Sequence, residues 1–176
     1  MKTIDKYITE RLNPKHLGGY KYFPKTKEEL KVLLIKLIAE RGYDGNFNDI
    51  DTSKITDMSK LFWGMKDFNG NISGWNVSNV TSMCSMFYFC KKFNCNISGW
   101  DVEQVEDMTC MFQRCVEFNQ PIGKWNTRSL FKMDGMFYDA KNFNQNISKW
   151  DVSSVVNFDG AFYNCQIKDS YKPKFK

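Results

Sequence analysis

The chain has 176 residues, 42% hydrophobic and 16% aromatic, with a formal net charge of +5. That length suits one domain with an appendage, and no apolar run is long enough to cross a membrane. Residues 1–42 carry ten basic and five acidic side chains, residues 168–176 four and one, and the stretch between them eleven and fourteen. A nucleic-acid reader needs a basic face across its body; here the basic residues gather at the two ends, so no nucleic-acid partner is expected.

The first predicted element in chain order is a helix with Ile4, Tyr7, Ile8 and Leu12 on one face, stopped at Asn13-Pro14. A second helix is marked at both ends. Thr26 and Glu29 stand in the S/T-x-x-E form, in which the Thr26 hydroxyl takes the Glu29 amide and the Glu29 carboxylate the Thr26 amide, and Gly42 follows the last apolar turn. Leu30, Leu33, Leu34, Leu37 and Ile38 give it an apolar face, so residues 1–42 read as an N-terminal helical cap over whatever follows. The opening MKTIDKYITERL interleaves acids and bases where a secretory signal needs an apolar core. A cytoplasmic location is therefore expected, or the cell surface if the chain is a processed form.

From residue 43 the chain repeats itself. FNGNISGWNVSNV begins at Phe68, FNCNISGWDVEQV at Phe93, FNQPIGKWNTRSL at Phe118 and FNQNISKWDVSSV at Phe143. Tryptophans recur at 75, 100, 125 and 150, and a second set of aromatics at Phe62, Phe87, Phe112, Phe137 and Phe162, preceded by Met58, Met83, Met108, Met133 and Phe158. The step is 25 residues without an insertion, and a degenerate first copy starts at Tyr43 with Ile50 in the Trp column. Such a period signals stacked units that bury their apolar faces on one another. Residues 43–167 then make five coils, and the basic tail, residues 168–176, is expected to fray.

Within a coil, Trp100-Asp101-Val102 alternates apolar and polar residues as a strand does, while Val105, Met108, Met111, Phe112 and Cys115 fall three or four apart as on a helical or 3₁₀ segment. The predicted fold class is α/β: a short solenoid of five strand-plus-helical-turn coils. Asparagines at 69, 94, 119 and 144 suit the bend between the two, since their side chains can bond nearby backbone groups and replace lost ladder partners.

The run WNVSNVTSMCSMFYFC, residues 75–90, resembles the 25-residue repeat of the BspA-like leucine-rich-repeat surface proteins of mycoplasmas and gut bacteria. The resemblance implies a right-handed, leucine-rich-repeat-like solenoid, strands on the concave side and helical turns on the convex side, in proteins that act as adhesion and interaction modules. Many relatives carry export or lipid-anchor signals, and this chain shows none.

Catalysis is not expected. The one histidine, His16, has no Cys or carboxylate within five residues, and no phosphate loop, nucleophile elbow or metal motif occurs. Asp51, Asp101 and Asp151 share a column with Asn76 and Asn126, and a general acid or nucleophile cannot be exchanged for an amide. Cys90, Cys115 and Cys165 stand in a core column where Met65 and Ala140 are alternatives, and Cys84, Cys95 and Cys110 form no C-x-x-C pair, so neither metal nor cofactor is expected.

What remains is binding of a protein partner, on either of two surfaces. The strand face would present Asp51, Asn76, Asp101, Asn126 and Asp151 in one column, with Glu103, Arg128, Lys124 and Lys149 in flanking ones, grading from acidic at the first coil to basic at the last. The helical side would present an aromatic ridge of Trp63, Tyr88, Tyr138 and Tyr163, with Gln113 at the centre. A structural or self-associating spacer and a cell-surface adhesin are the other readings.

Overall fold

The computed structural model describes residues 19–175; the expected first helix and His16 lie outside them. Helix α1 spans Lys27–Arg41. It starts where the sequence marks it, the Thr26 hydroxyl accepting from the Glu29 amide at 3.2 Å. The return bond differs: the Glu29 carboxylate accepts from the Lys25 amide at 2.8 Å, one residue earlier than the capping form predicts. Gly42 closes the helix at φ 78°, a left-handed value, and donates to the Ile38 carbonyl. Leu30, Leu33, Leu34 and Leu37 are buried in a core that is continuous with Phe47, Ile50 and Met58 of the first coil. Charges fasten both ends of the helix: the Lys27 ammonium donates to Asp57 and Ser59, and the Arg41 guanidinium binds Asp49 through both carboxylate oxygens at 2.7 and 2.9 Å.

The α/β solenoid of strand-containing coils is not what forms. Among the described residues there is one α-helix, α1, one short 3₁₀ helix, Asp169–Tyr171, and no sheet. Parallel pairing is reduced to isolated bridges that link Asp57, Ser82, Asp107, Lys132 and Asn157 in succession, with Tyr22–Ile50 and Asn46–Asn71 near the start. The coils beginning at 43, 68, 93, 118 and 143 are built from turns.

Both misread patterns have a physical origin. Trp100 and Val102 are buried and Asp101 is exposed, but turns produce the alternation: the Asp101 carboxylate takes the Glu103 amide at 3.1 Å, and Val105 donates to the Val102 carbonyl. The three-to-four spacing arises from consecutive turns, Met111 donating to Met108, Gln113 to Cys110 and Cys115 to Phe112. No helix can run through them, because Cys110 at φ 55° and Arg114 at φ 61° are left-handed. The same two positions are left-handed in every coil: Lys60, Ser85, Cys110, Gly135 and Gly160 in one column, Gly64, Phe89, Arg114, Asp139 and Asn164 in the other.

Left-handed residues redirect the alternate amides along the stack. Met108, Cys110, Phe112 and Arg114 donate to the carbonyls of Lys132, Asp134, Met136 and Tyr138 in the next coil, at 2.8–2.9 Å. Inside, Phe62, Phe87, Phe112, Phe137 and Phe162 form a file with centroids 5.4–5.7 Å apart. The phenylalanine that opens each following coil lies against it, Phe112 to Phe118 at 4.0 Å being typical. The four tryptophans stand in a second file, each buried, each indole N–H donating to a carbonyl 28 residues earlier: Phe47, Ile72, Ile97 and Ile122, at 3.0–3.3 Å.

Both ends depart from the repeat. Tyr43 is exposed although it occupies the column of Phe68, and Phe47 fills the interior instead. The tail does not fray. Lys168 donates to the Asn144 side chain, Ile147 to the Tyr171 carbonyl, and the Phe175 ring lies on Phe158 at 4.1 Å.

Candidate functional site

The Asp/Asn column is spent on the fold. Asp51, Asn76, Asp101, Asn126 and Asp151 each accept, through Oδ1, the amide two residues on, at 2.9–3.3 Å. Either side chain can do this, which explains the exchange of Asp for Asn. The bond lies within a coil and not between coils. Of this column Asp51 is half-buried, and the other four are exposed with one acceptor oxygen already committed.

Lys124, Lys149 and Arg128 are exposed as the sequence predicts, and Arg128 forms an ion pair with Glu103 one coil earlier. Asp49, two residues before Asp51 in the first coil, is held by Arg41. The face is a turn surface carrying isolated cations at its later coils.

The aromatic column is uneven. Trp63 and Tyr163 are 56% and 61% exposed, while Tyr88, Gln113 and Tyr138 are half-buried. Trp63 stacks on Tyr88 at 5.7 Å and Tyr138 on Tyr163 at 4.8 Å, so the inner rings cover a neighbouring turn and the outer ones stand clear. Between the two pairs, three cations surround the Phe89 ring: Lys91 at 5.0 Å, Lys66 at 5.3 Å and Arg114 at 5.9 Å. Arg114 and Lys141 also flank Asp139. Burial works against that carboxylate, but Asn164, Lys141 and Arg114 hold it below its ordinary range.

The two fully buried thiols, Cys90 and Cys115, have little nucleophilic character. Burial pushes Cys90 up to about 12 and Cys115 well above its ordinary value, and their sulfurs donate to the carbonyls of Phe62 and Phe87. Cys95, Cys110 and Cys165 are raised by burial too. Among the described residues no group of three or more His, Cys, Asp or Glu side chains is placed to hold a metal ion.

The asparagines of the bend bond between coils. Asn69, Asn94, Asn119 and Asn144 each accept the amide of a residue in the following segment, at 2.9–3.0 Å, and so stitch coil to coil; Gln120 and Gln145 add bonds to Asn94 and Asn119. The unbroken 25-residue recurrence of Asn was the available signal, since a residue needed only for a local bend tolerates Asp, Ser or Gly.

Residues 36–139, and again 96–172, match the family described as "Mycoplasma protein of unknown function, DUF285". The chain belongs to this family. The two overlapping matches of the DUF285 chain run from late α1 through all five coils into the tail, so the family's pattern is that of the stack itself. No curated protein matches it, and no solved structure does. Among its described residues no helix is long and apolar enough to cross a membrane.

Proposed function

We propose that this DUF285 chain is a non-catalytic scaffold that binds a protein partner through side chains displayed on a rigid stack. The observation that carries this is the contrast between columns. Phe62, Phe87, Phe112 and Phe137 are all fully buried and identical, whereas the outward positions run from Trp63 through Gln113 to Tyr163 and from glycine at 74 and 99 to lysine at 124 and 149. Positions that pack must agree from coil to coil; positions that grip need not. Carboxylates committed to turns and thiols kept protonated by burial fit a scaffold better than an acid–base or nucleophilic site. The binding residues are Lys124, Arg128 and Lys149 with the exposed rings Trp63 and Tyr163; Asn76 and Asn126 contribute their side-chain N–H donors, and Asp101 and Asp151 their negative charge.

The finer reading is a BspA-like repeat working as an adhesion module, supported by the residues 75–90 pattern within a mycoplasma-type family. A self-associating spacer is the second reading, favoured by the exposure of Trp63 and Tyr163 at opposite ends of one ridge. Cross-linked pull-down from host cells should capture a defined partner that is lost from a Trp63→Ser/Tyr163→Ser or a Lys124→Glu/Lys149→Glu protein of unchanged melting temperature. Equal capture by all variants, or concentration-dependent mass in light scattering without any partner, would defeat the scaffold reading.

A further inference from the structure

Along the outer ridge the amides of alternate residues donate one way, to the next coil, while just before the ridge Thr81, Glu106, Phe131 and Val156 donate back, to Thr56, Thr81, Glu106 and Phe131. At each of the four junctions, four amides of one coil donate to four carbonyls of the next, from Met58, Lys60, Phe62 and Gly64 through to Met133, Gly135, Phe137 and Asp139. Of the acceptor residues, Asp107 and Lys132 also donate back, at 3.3 and 3.1 Å, to carbonyls that precede the row. At the fifth coil the row stops. The amides of Phe158, Gly160, Phe162 and Asn164 have no partner among the described residues, whereas Asp159 donates to the Asp134 side chain, and Ala161, Tyr163 and Cys165 donate within their turns. The carbonyls of Asn157, Asp159, Ala161 and Tyr163 point back to the fourth coil as acceptors. Alternate amides therefore face outward with no carbonyl between them, at the positive end of aligned peptide dipoles.

The tail crosses the ridge at two of these residues, Phe175 lying on the Phe158 ring at 4.1 Å and the Lys172 ammonium over the Phe162 ring at 5.7 Å, and leaves Asp159, Gly160, Tyr163 and Asn164 exposed. Val156 and Tyr163 are 58% and 61% exposed beside the free amides. The chemistry of an occupant is narrow. A β-strand brings donors and acceptors together and would set its own amides against these. The same end of a second copy brings only donors. The acceptor side of a second copy's first coil lies beside α1, where Lys27 binds Asp57 and Ser59 and Leu61 is buried. Carboxylates are acceptor-only. The tail supplies Lys168, Lys172 and Lys174, while the coils carry eleven basic and fourteen acidic side chains, so an anionic chain is drawn to this end. Of the carboxylates here, Asp169 is paired with Lys172 at 2.7 Å and Asp159 stands in opposition.

We propose that the ridge end of the fifth coil is a docking surface for an acidic, partly apolar segment of a partner protein. Its carboxylates take the free amides of Phe158, Gly160, Phe162 and Asn164, as next-coil carbonyls do at the inner junctions, and its apolar side chains cover Val156 and Tyr163. This deepens the scaffold reading and rests on it.

The test is amide NMR of the full chain titrated with a peptide of alternating Glu and Leu. The expected result is saturable shifts of the four free amides, none at Met133, Gly135, Phe137 and Asp139, weakening with salt, and no response to a Lys/Leu peptide of equal length. Val156→Asp/Tyr163→Asp, on exposed positions, should weaken binding by at least about tenfold. No shifts, shifts spread over the coils, equal response to the basic peptide, or a self-association that these substitutions abolish would overturn the proposal. If the peptide fails but Lys124→Glu/Lys149→Glu still loses the captured host partner, the scaffold reading stands and this site falls.

Discussion

Phe112→Ala and Phe162→Ala alter the same column and should differ sharply. Phe112 is fully buried, with Phe87 at 5.7 Å on one side, Phe137 at 5.6 Å on the other and Phe118 at 4.0 Å across it. Phe162 is half-buried; Phe137 lies at 5.7 Å, and its other neighbours are Phe175 at 6.5 Å, tilted by 50°, and the Lys172 ammonium over the ring at 5.7 Å. It also lacks an opening phenylalanine, because Lys168 stands in that column. Removing a buried phenylalanine costs about 3–5 kcal/mol, and each well-stacked pair adds roughly 0.5–1.5 kcal/mol beyond area. Phe112→Ala belongs at the top of that range, about 5 kcal/mol, and Phe162→Ala at about 2 kcal/mol. At a urea slope of about 2 kcal/mol per molar, the midpoints should differ by about 1.5 M, read from tryptophan fluorescence. Equal losses at the two positions would refute a shared interior built coil on coil.

Other perturbations separate turn chemistry from packing. Ser85→Gly relieves a left-handed residue at φ 55°, worth about 1–2 kcal/mol, against about 0.5–1 kcal/mol of added chain entropy, so calorimetry should show a small gain in stability, and Ser85→Val a loss. Asp101→Asn should leave the urea midpoint unchanged while Asp101→Ala lowers stability by about 1 kcal/mol, since only the second removes the acceptor for the Glu103 amide. Thiol titration at pH 8 should find Cys90 and Cys115 unreactive in the native protein and reactive in denaturant. For Asp57, burial works against the carboxylate, but Lys27 and Ser59 hold it below its ordinary range. Its contribution is thus present above that range and lost as pH falls through the lowered value. Asp57→Asn should flatten the acid limb of a stability profile below about pH 4.

The sequence and the structure agree where packing decides and part where backbone conformation decides. The tryptophan and phenylalanine columns were readable because burial selects residue type directly, and the four indoles of the column keep one environment. Helix α1 was readable because Thr26, Glu29 and Gly42 carry local cap chemistry. The coil backbone was not, because a turn that buries its first and last residues imitates a strand at Trp100-Asp101-Val102 and a helix from Val105 to Cys115. The clue lay in two columns that admit Gly at 64, 135 and 160 and Asp or Asn at 139 and 164, residues that tolerate left-handed φ. Lysine, serine, cysteine, phenylalanine and arginine at the other positions concealed it. On the candidate surface, exposure of Lys124, Lys149, Trp63 and Tyr163 followed from register alone, whereas the commitment of Asp101 to its own turn required coordinates.

Residue-resolved hydrogen exchange on the native protein tests the one-way amide row most directly. The amides of Met83, Ser85, Phe87 and Phe89, and their counterparts from Met108 to Asp139, should be strongly protected, and those of Phe158, Gly160, Phe162 and Asn164 should exchange freely. Free exchange in the middle coils, or protection that does not stop at the fifth, would contradict the account.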